Sequence, residues 1–419
     1  MRDLYLQKRF DILLLMLAAL FPIYKYSISS MVLSVFSITS IFLYYRAKTE
    51  INKLLVVRRL RYFLITTGFY LLMICSLSYS SDIKTGLAFL VSSAYILVYP
   101  LIIIFFVNDI SKKQLNQILF CFVFSCCMYS LYIHYCFHMA GLYTTFKPAE
   151  FYDLPFRGVL MTLKVGSGHP TYISMWFLFS VLFLIHFLLE NKVSHSKKIG
   201  MLFGITLLTF SSMLLSAKIT VVAFFFSLLL LVYLMLKKKL IVVFVCGLIT
   251  TIFVLSLLNI SFLRARFIDE FKATEFKPPV GIRTNSLNIR VGIFECSKEI
   301  FKNNWLIGTG VGDAQAELNK CYSTFNTNVY KVDTYNSHNN YFGIAISTGS
   351  IGLFAFIFML LFHIRESIKH GNTLFLIFLL FVIICMVPEN ILSRNHGVVF
   401  YSIFSSLFSK RNLENNHPA

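Results

Sequence analysis

Three side chains stand where a charge or a proton acceptor is costly unless it is used. His338 lies in 334 TYNSHNNYFGIAISTGSIGLFAFI 357, a polar cluster that runs straight into an apolar helix. At a helix N-terminus the aligned peptide dipoles disfavour the imidazolium form and attract anions, so a neutral histidine beside a phosphate is a general-base candidate. An interfacial polar cap is the plainer alternative. Arg290, with Arg283 shortly before it, can grip a diphosphate through its fork of N–H donors without a metal; pairing with lipid headgroups is the competing account. Lys218 separates two fully apolar stretches, 199 to 217 and 219 to 236. A cation so close to hydrocarbon points to function, unless the side chain merely snorkels to the interface.

Two further stretches carry weaker signals. The glycines of 306 LIGTGVGD 313 imitate a phosphate-binding loop, yet no strand precedes them, so a turn is expected. In 168 GHPTY 172, Pro170 fits the first position of a helix, and His169 reads as structural or acceptor-facing.

The elements that must hold these groups are membrane helices. The chain is 57% hydrophobic and only 14% charged, with a mean hydropathy of +0.72, whereas about a quarter of an ordinary soluble domain is charged. Apolar runs at 11 to 28, 30 to 45, 62 to 78, 85 to 107, 115 to 141, 169 to 189, 199 to 217, 219 to 236, 240 to 262, 339 to 363, 373 to 388 and 396 to 409 give about twelve spans. The expected fold is therefore an all-α polytopic membrane protein, a single integral membrane domain over 1 to 419. No small-x-small cleavage site follows the first span, so it is expected to stay in the mature protein.

The net charge of +19 does not point to nucleic acid, because the basic residues fall in short clusters between apolar runs. Arg58, Arg59 and Arg61, then Lys112 and Lys113, Lys237 to Lys239, and Lys410 and Arg411 all share one side. The short loops of the other side carry only Lys25, Lys84, Lys218 and Arg394. Both termini are thus expected in the cytoplasm, with two long loops, 142 to 168 and 263 to 338, on the periplasmic side. In the larger loop, Thr284, Asn285 and Ser286 can cap a short amphipathic helix bearing Ile289, Ile293, Cys296 and Ile300 at helical spacing. Of nine cysteines only Cys296 and Cys321 lie outside the apolar runs. In an oxidising compartment they can pair; otherwise they are two free thiols. No Cys/His spacing suggests a metal site.

Taken together, Arg290 followed by 303 NNWLIGTGVGD 313 and 337 SHNNYFGIAISTGSIGL 353 resembles the shared signature of the O-antigen ligase and O-antigen polymerase superfamily. The stretches 79 YSSDIKTGLAFL 90 and 154 LPFRGVLMTLKVGSGHPTYIS 174 are also similar to members of it. The resemblance implies an inverting, metal-independent glycosyltransferase without cofactor, in the bacterial inner membrane with its site facing the periplasm. It would move a glycan from undecaprenyl diphosphate to lipid A core. His338 would be the catalytic histidine, and Arg290 the loop arginine that holds the diphosphate. Lys218 stands where the family usually has arginine, in 216 SAK 218, which keeps the charge and loses the fork. Arg283 would be a further diphosphate contact and His169 an acceptor-side residue. A polymerase that joins lipid-linked repeat units shares these features, and a transporter of the lipid-linked glycan is the alternative from another class. The latter would be expected to show internal repeats and charges within spans, and the sequence displays neither.

Overall fold

The computed structural model describes residues 2–47, 53–142, 155–163, 168–281, 284–332 and 334–414. The described residues are helical almost throughout, and the β structure among them is one bridge between Gly281 and Thr327. Among the described residues eight helices are long and apolar enough to cross a membrane, or nine if a bent pair is one span. The apolar helix Thr373–Cys385 is shorter, and Arg2–Ala19 and Asn395–Glu414 are long but less apolar. Most of the smaller loop, 143–154 and 164–167, lies outside the described residues, as does Arg283.

Helices are numbered here as they are introduced. α1 (Arg2–Ala19) and α2 (Tyr26–Arg46) depart from the expected run at 11 to 28, because Pro22 sits in a 3-10 turn where a helix cannot continue. Two polar side chains of α1, Gln7 and Asp11, are buried between neighbours. Gln7 donates to Phe106 O at 3.1 Å, and Asp11 accepts Ser40 Oγ at 2.8 Å. After α3 (Lys53–Ser76), the single span expected at 85 to 107 is two helices, α4 (Ile83–Ser93) and α5 (Tyr95–Phe105), bent by 41°. Tyr70 Oη donates to Leu90 O at 2.5 Å beside the bend, so a carbonyl next to the break keeps a partner in a setting where water is scarce.

α6 (Lys112–Met139) and the short α7 (Pro155–Thr162) lead to α8 (Pro170–Glu190), buried along most of its length. α6, α9 (His195–Leu215), α10 (Lys218–Met235), α15 (Thr373–Cys385) and α16 (Asn395–Glu414) all pack on α8. The phenylalanines of these helices form one interior, with Phe122, Phe179, Phe378, Phe400 and Phe404 in mutual ring contact. In lipid, such shape-filling carries the packing, since burial from hydrocarbon into protein gains little hydrophobic energy. α11 (Lys239–Asn259) contrasts with α8, because no residue along it is buried.

Between α11 and α14 (Asn340–Lys369) the chain builds a small second core. α12 (Ser286–Asn303) starts at Asn285, whose side chain accepts Leu287 N and Asn288 N while Asn288 Oδ1 accepts Asn285 N. Its apolar face, Ile293, Cys296 and Ile300, packs with Leu318 and Tyr322 of α13 (Ala314–Tyr322), with Tyr330, and with Ile346 of α14. Cys296 and Cys321 are disulfide-bonded, which ties α12 to α13.

α14 is broken inside the membrane region at Gly349, whose φ of 64° and ψ of −162° are not helical. The segment 305–310 runs past this break and closes it. Thr309 N donates to Ile346 O at 2.8 Å, Gly310 N to Ser347 O at 3.0 Å, and Ser350 N to Trp305 O at 2.7 Å. Gly308 and Gly349 are both needed here, because each has positive φ and a Cβ on either would strike the other strand of the contact.

Candidate active site

The glycine turn is a joint and not a phosphate cradle, because its N–H groups already have partners. Beyond the bonds to α14, Val311 N donates to Ser76 Oγ and Gly312 N to Ser80 Oγ, each at 3.1 Å. Asp313 then accepts Ser81 N at 2.7 Å and Asp82 N at 2.9 Å. The two stretches 79–90 and 306–313, far apart in sequence, thus meet and fix the loop on the helices.

On that base, α12 and the entry to α14 present their polar residues to one point. His338 precedes Asn339, the cap whose side chain accepts Phe342 N at 2.9 Å. The His338 backbone is left-handed, with φ of 40°, and its N–H donates to Asn336 Oδ1 at 3.0 Å. That turn sets the imidazole against a carboxylate absent from the sequence-based candidates, Glu389, in 387 VPEN 390 between α15 and α16. Glu389 Oε1 accepts Arg290 Nη2 at 2.6 Å, and Oε2 lies 3.4 Å from His338 Nδ1. The second contact is within ion-pair range but is not aligned as a hydrogen bond, leaving Nδ1 buried without a conventional partner.

Glu389 is only 6% exposed, against 35% for Arg290 and 22% for His338. A buried carboxylate of this kind is stable only when paired. Burial pushes its pKa up, yet contact with His338 and the charge of Arg290 outweigh that and hold it below the usual carboxylate range. It therefore carries full charge at neutral pH and orients both partners.

Lys218 opens α10 just after Ser216, a left-handed residue that closes α9. Lys218 Nζ donates to Glu270 Oε2 at 2.8 Å, and Glu270 Oε1 accepts the Ser286 hydroxyl. Ser286 and Arg290 are four residues apart on α12, so they share one helix face. The lysine is thereby linked to the arginine's helix one turn away. His169 caps α8 and accepts Thr171 N at 3.4 Å, within electrostatic range of Glu389 and His338. Four of the five sequence candidates are thus brought to one end of the helices, and Arg283 is the one outside the described residues. Among the described residues no group of three or more His, Cys, Asp or Glu is arranged to hold a metal ion.

Residues 201–357 match the family model described as O-antigen ligase. That segment, less than half of the chain, is similar to the O-antigen ligase family. The matched segment includes Lys218, Glu270, Arg290, His338 and both sides of the Gly308–Gly349 joint, and Glu389 lies outside it. No curated protein matches the chain. The similarity supports, as the coarse reading, a membrane enzyme of the O-antigen ligase or polymerase type.

Proposed function

We propose that this chain is an O-antigen ligase-type glycosyltransferase of the bacterial inner membrane, with its site at the periplasmic face. It moves a glycan from undecaprenyl diphosphate to a hydroxyl of lipid A core, with inversion and without a metal. The observation that carries this reading is the buried carboxylate of Glu389, held between Arg290 and His338.

With Nδ1 turned to Glu389, His338 has Nε2 left to take the proton of the acceptor hydroxyl. The acceptor oxygen then forms the new bond to the anomeric carbon as the bond from that carbon to the diphosphate oxygen breaks, and the electron pair leaves with the lipid diphosphate. Arg290, with Lys218 linked to its helix through Glu270 and Ser286, stabilises the charge that develops on the leaving group, an effect typically worth a few kcal/mol per donor. Glu389 stabilises the imidazolium as it forms.

The test is transfer from purified undecaprenyl-diphosphate glycan to lipid A core in detergent with EDTA present. Product of inverted configuration is the expected result, and a chelator-sensitive reaction overturns the metal-free mechanism. Gene deletion separates ligase from polymerase. Loss of a ligase leaves polymer on the carrier and bare core, while loss of a polymerase leaves core with one repeat unit.

A further inference from the structure

Beside the His338–Glu389–Arg290 cluster lies a cavity of about 220 Å³ that none of those three side chains lines. The backbone segments that carry His338 and Glu389 border it. Asn336, Ser337 and Asn340 flank His338 in its wall, and Asn390 and Arg394 follow Glu389. The lining residues Phe69, Met73 and Leu392 are buried and apolar, whereas Arg394 is exposed and marks the open side. Among the described residues no carboxylate lines the cavity and Arg394 is the one cation, a poor set for a metal ion or a phosphate.

Asn340 defines what the cavity lacks. It is 3% exposed, and its Oδ1 accepts Leu392 N at 2.9 Å, which fixes the amide's orientation. Its Nδ2 is buried with no acceptor. An unmet buried donor is costly, and native structures keep such groups sparingly. Asn390 Oδ1, an acceptor in the same wall, is already engaged, since it takes the Ser337 hydroxyl at 3.1 Å.

We propose that this cavity receives the acetamido group of a sugar unit adjoining the transferred bond, a proposal that rests on the glycosyl-transfer reading above. The carbonyl oxygen of an acetamido group accepts only, which suits Asn340 Nδ2 and Arg394, both donors. Its methyl group suits Met73, Phe69 and Leu392. A sugar hydroxyl would leave the apolar lining without a partner, and a uronate would set a full charge against it.

The experiment is saturation-transfer NMR on the purified full-length protein with N-acetylglucosamine, glucose and glucuronate. Saturation is expected at the acetyl methyl group, with much weaker transfer to the other two sugars. Asn340→Asp keeps an oxygen for Leu392 N and replaces the donor with a charged acceptor, so it should weaken binding at least about tenfold. Ala314→Phe, which fills the cavity from α13, should abolish the signal. Equal binding by wild type and Asn340→Asp, a preference for glucuronate, or no saturation of the methyl group would each overturn the proposal and leave a cavity that holds water only. The binding arm uses no lipid-linked donor. A wild-type protein that transfers glycan but ignores N-acetylglucosamine therefore defeats the cavity alone, while one that binds the sugar and transfers nothing defeats the transfer reading.

Discussion

The two ends of the helices both gather charges, but they use them differently. At the end opposite His338, ionic groups mostly close the backbone. Glu414 accepts Ile110 N at 3.1 and 3.2 Å, Arg59 donates to Phe105 O at 3.1 Å, and Lys410 donates to Ile104 O at 3.4 Å. These contacts satisfy helix-end groups that hydrocarbon cannot, so they are stitches. At the His338 end, Glu389 binds side chains instead, the histidine next to it has left-handed backbone, and one ring nitrogen is left unmatched. Charge that meets backbone holds the fold. Charge that meets other side chains in a half-open cluster, with an orphaned nitrogen among them, is poised for chemistry.

Substitutions can break that contrast, and the largest effect is expected at His338. His338→Ala should lower transfer about 10²- to 10⁴-fold while leaving the melting temperature near wild type, because the side chain adds little packing. A collapse in stability equal to the loss in rate would make the histidine structural.

Glu389→Gln keeps the shape and removes the charge, and the resulting misplacement of Arg290 and His338 should cost about 10²-fold in transfer. It also has a pH signature. The folded pKa of Glu389 lies below its ordinary value of 4.5, so its stabilising effect is complete above that pH and is lost as pH falls through the lower, folded value. Thermal scans below pH 4.5 should show wild type losing stability more steeply than Glu389→Gln. Parallel curves would show that the carboxylate is not held by its partners.

Lys218 sharpens the comparison, because it is paired with Glu270 at the site end yet sits at the membrane boundary. Lys218→Arg should retain or raise activity, and Lys218→Met should reduce it about tenfold or more, as expected when one charge-stabilising donor is removed. Near-wild-type rates for both would reassign it to the stitches. The smallest effect belongs to the opposite end. Lys112 and Glu190 form a partly exposed ion pair, so Lys112→Ala should shift stability by less than about 1 kcal/mol and transfer not at all.

Much of this was legible because it rests on local pattern. The polar cluster ahead of an apolar run located His338, helical spacing located α12 with Arg290 on it, and the position of Cys296 and Cys321 outside the apolar runs allowed their pairing. Glu389 was missed because it sits in a few residues between two apolar runs, where a lone acid looks like a loop residue. Its signal was its rarity, since acids at a membrane boundary are costly unless matched. The break at Gly349 was hidden for another reason. The run 339 to 363 carries no charged residue or proline, only the small residues 347 STGS 350 at the break, and the distant segment 305–310 is what supports it.

The position of Glu389 also sets the order in which the site can come into being. Arg290 precedes it by 99 residues, and His338 is likewise made and threaded toward its place before the carboxylate exists. During synthesis, α12 and the start of α14 must therefore wait with an unmatched guanidinium and an unanchored imidazole until α15 has inserted and the 387 VPEN 390 corner has emerged. The disulfide and the small core can form in that interval, since every residue of that core precedes α15. The scaffold of the loop is thus complete before its charges are matched, and a nascent chain stopped short of residue 389 would carry a folded loop around an unfinished centre.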